Sequence, residues 1–313
     1  MLRVAVSVAL ISYLLQQVSL GEILAVLSRT LDHWLFLLIA TALPLGGCFI
    51  GVFRWRILLG GIGAQPGVLI LLRALLVGTF FNQFLPSTIG GDAARSWWIK
   101  HSLGSVTQSL TVVALDRLIG LVGFCAVGLV AAGLRPSLVR ELPQFWIVVV
   151  VIAAIAGAVA ALAHPAAAKV GRRLLSISVL EAARGKAALV YGGLAALGRA
   201  WDRLIIAFLL SMALQFAIVV EYFMLSMALG MEVSLWAFSV LIPIVTLISL
   251  LPVSVNGIGL REAALAVLGA PFGITVGDAV AMAWLFVFVH WLYAIFGGII
   301  YLIGRGAAAG PPT

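Results

Sequence analysis

Charge is what this sequence has least of. Asp, Glu, Lys and Arg make up 10% of the 313 residues, against 64% hydrophobic residues and a mean hydropathy of +1.22. Soluble domains carry about 25% charged residues, so a soluble globular fold is excluded and an integral membrane protein is indicated. Cysteine is nearly absent too, with only Cys48 and Cys125, both inside apolar runs. Two thiols so placed give neither a disulfide framework nor a metal-binding spacing, and each is read as a small hydrophobe. The chain also lacks a phosphate-cradling Gly-rich loop ending in Lys-Ser/Thr, a dinucleotide fingerprint, a paired-His zinc motif and a Gly-x-Ser-x-Gly elbow. ATP hydrolysis by this chain is therefore not expected, and neither cofactor nor metal is implied. Energy for any transport would come from a proton or ion gradient, from the lipid gradient, or from another subunit.

Acidic residues are the scarcer sign, eleven against nineteen Lys and Arg, for a formal net charge of +8. The cations fall mostly in short stretches between apolar runs, as in cytoplasmic loops, so the charge reports orientation rather than a nucleic-acid partner. Six stretches approach the roughly 20 apolar residues that cross a hydrocarbon core: residues 2–19, 34–53, 105–133, 145–163, 204–230 and 277–303. The first has the outline of a secretory signal, but Gln16 to Glu22 offers no small-residue cleavage site, and it is read as a retained helix. If residues 68–100 form a re-entrant hairpin, Arg3, Arg54, Arg56, Lys100, the stretch Lys169 to Arg203 and Arg305 share one side. Residues 20–33, 134–144 and 231–234 then face the other side as weakly charged loops, which predicts that both termini are cytoplasmic. Residues 164–203 read either as a basic amphipathic segment on the cytoplasmic leaflet or as a plain topology determinant. No linker or compositional shift divides the chain, and residues 1–313 are read as one membrane domain.

Two stretches within this apolar background break the pattern at matching offsets. Pro86-Ser87-Thr88-Ile89-Gly90-Gly91-Asp92-Ala93-Ala94-Arg95 and Pro252-Val253-Ser254-Val255-Asn256-Gly257-Ile258-Gly259-Leu260-Arg261 each follow an apolar run, interrupt it with Pro and Gly, and set an Arg near a carboxylate, Asp92 or Glu262. Discontinuous helices in corresponding positions of two halves point to a transport site near the bilayer midplane. With residues 235–270 as the second hairpin, the first enters from the cytoplasm and the second from outside, so the two are inverted. The alternative is that Pro and Gly merely kink ordinary spanning helices. The expected fold is all-α and polytopic, with about six full spans and two inverted re-entrant hairpins.

A charged side chain at the bilayer centre costs at least about 2.5 to 3.5 kcal/mol, so Arg95, Arg117, Arg261, Asp92, Asp116, Glu221 and Glu262 must be paired or wet. Arg presents a planar fork suited to phosphate, and helix N-termini after Gly91 and Gly259 would add free N–H donors. Arg95 and Arg261 are therefore read as phosphate-binding, with Asn82, Ser87, Thr88 and Asn256 lining a polar path. Asp92 and Glu262 would hold or release the arginines, and Pro86, Gly90, Gly91, Pro252, Gly257 and Gly259 would supply the breaks. The competing reading has Arg95 paired only with Asp92 at i, i+3, and Arg261 with a neighbouring carboxylate. Asp116 and Arg117 diverge around their helix and are expected to pair elsewhere, in bracing or gating. Glu221 either carries a coupling proton or is neutralised by an arginine. His290, amid aromatic residues, is read as helix packing ahead of proton relay.

Phe81-Asn82-Gln83-Phe84-Leu85 leading into the first motif, Arg54-Trp55-Arg56 upstream, Leu115-Asp116-Arg117-Leu118-Ile119-Gly120-Leu121 downstream, and Leu251-Pro252 to Glu262 together resemble the flippase-like family related to the membrane region of lysylphosphatidylglycerol synthases. The resemblance spans nearly the whole chain. It implies a polytopic inner-membrane protein that moves or binds a phosphate-bearing lipid. In the bifunctional synthases a soluble aminoacyl-transfer domain follows the membrane region, whereas this sequence stops at Thr313, so synthase activity is not expected to carry over. The expected partner is an anionic phospholipid, a polyprenyl-phosphate-type lipid or a hopanoid-type lipid. Two other classes stay open: a membrane enzyme using Asp92 and Glu262 as acid and base, and a lipid-binding scaffold for lipid-synthesis enzymes, alone or as a homo-oligomer.

Overall fold

The computed structural model describes residues 9–14, 16, 20–84, 88–99, 106–163, 200–251 and 253–308, and among these the regular structure is all helix, with no strand. After helical residues 9–14 the elements are α1 (Leu20–Ser28), α2 (Trp34–Gly61), α3 (Val68–Phe84), α4 (Thr88–Trp98), α5 (Val106–Leu134), the short α6 (Pro136–Glu141), α7 (Trp146–Ala163), α8 (Trp201–Ala228), α9 (Leu235–Ser249), α10 (Leu260–Gly269) and α11 (Val276–Ala308). Four of them, α2, α5, α8 and α11, contain stretches long and apolar enough to cross a membrane. Most of the expected 2–19 span, the 164–199 part of the basic segment, and Pro86, Ser87 and Pro252 lie outside the described residues.

The spanning helices form where apolar runs leave the backbone no water to bond with, so every N–H must be satisfied within its own helix. Two limits differ from expectation. α2 was expected to end at residue 53 but continues to Gly61, because Trp55, Leu58 and Leu59 are fully buried with Leu71, Ile99, Val112 and Ala207 in a second core. Residues 20–28, expected in a loop, are helical, and Ile23 and Val26 turn inward, Ile23 packing with Leu14 and Val280. The larger core gathers Phe238, Leu241 and Ile242 of α9 with Leu225, Leu265 and Met282. Ser234 starts α9 as its cap, its hydroxyl accepting the Ala237 N–H at 3.2 Å.

Apolar side chains also cover the outside. Leu38, Phe49 and Phe53 of α2, Ile205 and Leu209 of α8, and Phe288, Phe296, Ile299 and Ile303 of α11 are all exposed. In water such a surface would drive aggregation; in a bilayer it is the lipid-facing belt.

The ends of the long helices can be matched. Arg29 lies 3.9 Å from Asp278, and His33 sits against Gly230, so α2 and α11 begin where α8 finishes. At the opposite end Arg203, near the start of α8, packs on Gly60, near the finish of α2. Both motif-bearing regions fold back on themselves: α3 with α4 as one helical hairpin, α9 with α10 as another.

Candidate functional site

Hairpin α3–α4 closes through glycine. A Cβ on Gly91 would stand 2.3 Å from the Gly78 carbonyl oxygen and 2.2 Å from Asn82 Oδ1, so only hydrogen fits there. The Gly91 N–H donates to Asn82 Oδ1 at 3.2 Å, meeting one of the donors that a helix start leaves open. This approach lays the next turn of α4, carrying Asp92 and Arg95, against α5 and α2.

A continuous ion network results. Arg117 grips Asp92 with two bonds, Nη2 to Oδ1 at 2.9 Å and Nε to Oδ2 at 3.0 Å. Arg95 Nη2 is 3.2 Å from Asp92 Oδ1, and its Nη1 donates to Asp116 Oδ2 at 3.3 Å. The other Asp116 oxygen accepts Arg54 Nε at 2.8 Å. Arg54 Nη1 donates to Ser211 Oγ at 3.0 Å, and that hydroxyl donates onward to the Ile119 carbonyl. Gln215 Nε2 bonds the Gly120 carbonyl at 3.0 Å, fixing α8 on α5 at the same level. Arg95 also lies over the Trp55 ring at 5.2 Å, while its Nε has no hydrogen-bond partner. Arg54, Arg95 and Asp116 are buried, whereas the Arg117 side chain is 45% exposed. Three guanidiniums share two carboxylates, which leaves one unit of positive charge in the network.

This network borders a cavity of about 570 Å³ whose polar wall includes Asn82, Asp92, Arg95, Arg117, Gln215 and Thr246. A second cavity, about 200 Å³, shares Arg54, Thr79, Arg95 and Asp116 with the first and extends to Glu221, His290 and Tyr293.

Hairpin α9–α10 contributes differently. Its turn runs through Asn256, Gly257 and Gly259, with φ of 50°, 76° and 84°. Glycine takes such angles without strain, and Asn is among the few other residues that visit them. Asn256 Nδ2 donates to Gln83 Oε1 of α3 at 3.0 Å, so the two hairpins touch near their tips. Glu262, expected to hold or release Arg261, is buried and instead accepts the Gly259 N–H at 2.8 Å, capping its own helix. Adjacent residues on a helix diverge, so Glu262 faces the cap and Arg261 faces α11, its guanidinium 5.0 Å from the Phe286 ring. Among the described residues no carboxylate lies within ion-pair distance of Arg261.

The expected site residues thus fall into two groups. Asn82, Gly90, Gly91, Asp92, Arg95, Asp116 and Arg117 assemble on the first hairpin and α5, with Thr88 beginning α4. Asn256, Gly257, Gly259, Arg261 and Glu262 form the second hairpin, and Glu221 faces the smaller cavity. Among the described residues Arg95 and Arg261 share no hydrogen-bond or ion-pair partner. Asp116 and Arg117 do pair apart, as their helical spacing requires. Arg54, Ser211, Gln215 and Gln83 join the site without having been expected as site residues. For Arg54 the available signal was the Arg-Trp-Arg cluster directly after an apolar run.

Broken helices around a buried, cationic polar centre, inside a lipid-facing belt, define a multi-pass membrane protein. The chain belongs to the lysylphosphatidylglycerol synthase TM region family, whose model matches residues 1–297, and this membership makes it a membrane protein of a lipid-acting family. No curated protein and no solved structure matches it.

Proposed function

We propose that the protein moves an anionic, phosphate-bearing lipid between the leaflets of the inner membrane, without altering it chemically. The observation that carries this reading is the surplus positive charge of the Arg54–Asp116–Arg95–Asp92–Arg117 network on a cavity of about 570 Å³. An ion network at membrane depth that served bracing alone would balance its charges, since a surplus charge there is costly. A phosphate is the anion that completes it, and exposed Arg117 with its planar fork is the group placed to meet it first. Arg261, with no carboxylate in ion-pair distance among the described residues, offers a second station on the other hairpin.

The hairpins act in this reading as inverted re-entrant gates. Residues 62–67 lead into α3 from the finish of α2, residues 229–234 lead into α9 from the finish of α8, and those two finishes lie at opposite ends of the molecule. The basic end, with Arg56 and Arg203, faces the cytoplasm together with both termini. The lipid itself is an aminoacylated or plain phosphatidylglycerol, another anionic phospholipid, or a polyprenyl phosphate.

Reconstitution into liposomes with headgroup-labelled phosphatidylglycerol or a labelled polyprenyl phosphate tests this. An impermeant reductant reads leaflet exchange for wild type, Arg95→Ala, Arg117→Ala and Arg261→Ala, and mass spectrometry reads the recovered lipid. Exchange that falls in all three variants, with lipid mass unchanged, is the expected result. Altered lipid mass would make the protein an enzyme, and intact lipid without exchange would leave a scaffold.

A further inference from the structure

The polar interior continues past Asp116. The smaller cavity joins Arg54, Arg95 and Asp116 to Glu221, so the ion network and a separate carboxyl open on the same space. Glu221 is 2% exposed, and its Oε1 accepts no hydrogen bond. His290 Nδ1 is 3.5 Å from that oxygen but 2.9 Å from the Phe286 carbonyl one turn back. With its proton on Nδ1, the neutral imidazole bonds that carbonyl and brings no charge to Glu221.

The other groups around Glu221 are already engaged or uncharged. From α2 come Arg54, held by Asp116, and the Cys48 thiol; from α4 comes Arg95, held by Asp92 and Asp116. From α11 comes Tyr293, whose hydroxyl donates to the Thr41 carbonyl. Tyr222 stacks on Phe286 at 4.6 Å, and Glu262 of α10 caps its own helix. Arg261 remains: it rests on Phe286, the ring that His290 meets at 4.1 Å and on which Tyr222, the neighbour of Glu221, stacks. A carboxylate at membrane depth needs a cation, and a carboxylic acid does not.

We propose that Glu221 is a proton-binding site that couples lipid movement to the proton gradient by competing with lipid phosphate for Arg261. This rests on the transport reading above. With the proton on one Glu221 oxygen, the side chain is neutral and Arg261 is available to phosphate. When the proton leaves that oxygen for water, the carboxylate recruits Arg261 and the lipid is released; no other bond forms or breaks. Lipid binding and proton binding then favour each other, reciprocally.

Infrared difference spectra of the protein in nanodiscs, wild type against Glu221→Gln, read the carboxylic acid band directly. Phosphatidylglycerol is the probe, because its phosphodiester does not titrate near neutral pH and any added proton belongs to the protein. Adding it should increase the acid band of wild type, with no such band in the variant. In liposomes an imposed pH gradient should speed wild-type exchange several-fold and leave Glu221→Gln at its gradient-free rate. Glu221→Asp, which keeps a carboxyl and shifts the band, replaces the Gln variant if that fails to fold. The proposal is overturned if no Glu221 acid band appears between mildly acidic and mildly alkaline pH, if Glu221→Gln still responds to the gradient, or if Glu221→Asp leaves the band unshifted. A wild type that moves no lipid refutes transport instead, and the band still decides whether Glu221 holds a proton.

Discussion

Asp116 holds two arginines at once, one on each oxygen, and that makes it the most sensitive side chain in the network. Asp116→Ala would leave Arg54 and Arg95 buried with too little negative charge, at a cost of about 3 to 5 kcal/mol. Thermal unfolding in detergent should show it as a large drop in midpoint. Arg117→Ala removes a half-exposed cation instead and leaves Asp92 its contact with Arg95, so it should cost less stability than Asp116→Ala. Its unfolding midpoint should stay near wild type while lipid exchange falls, which separates binding from bracing. How such residues could be read from sequence differed with the range of their contacts. The divergence of Asp116 from Arg117 follows from helical geometry alone and was legible. Glu262 beside Arg261 looked like an ion pair, yet the stronger local rule was the cap at Gly259, three residues back. Arg54 was read as a loop cation because the apolar run stops before it, and only tertiary burial of Trp55, Leu58 and Leu59 reveals that the helix goes on.

At the scale of elements, the hairpins depend on points where backbone meets backbone. Gly91→Ala places a methyl group in the Gly78 carbonyl and should abolish folded, extractable protein, whereas Gly46→Ala, with open space at the same atom, should behave as wild type in size-exclusion chromatography. The contact between tips makes a second prediction. In a background without Cys48 and Cys125, Gln83→Cys with Asn256→Cys should be joined by a short bifunctional thiol reagent, and joining them should arrest lipid exchange if the tips must part during transport. The interruptions between α3 and α4 and between α9 and α10 were legible because Pro and Gly cluster there at matching offsets, whereas the single Pro44 and Pro243 leave α2 and α9 unbroken. Their mutual contact was not, since Gln83 and Asn256 lie far apart in the chain and nothing local links them. Gly47 and Gly51 show the intermediate case: their spacing suggests close packing, and the structure supplies the neighbours, Leu214 and Leu75.

For the whole molecule, the arrangement of ends predicts a labelling pattern. With the basic end in the cytoplasm, a lone cysteine replacing exposed Gln65 should react with an impermeant maleimide only in inside-out vesicles, and one replacing exposed Glu232 only in right-side-out vesicles. The reverse pattern would invert the orientation and leave the fold untouched. The odd count of charges in the network has a further consequence at this scale. A phosphodiester brings one negative charge to a centre with one positive charge to spare, so the loaded centre is electroneutral and the empty one is not. Moving one elementary charge through 100 mV is worth about 2.3 kcal/mol. If the protein transports lipid as proposed and Glu221 carries no proton with it, a voltage negative inside would leave the lipid-bearing stroke alone and draw the vacant protein back toward its cytoplasm-facing form, the membrane potential then serving as a return spring.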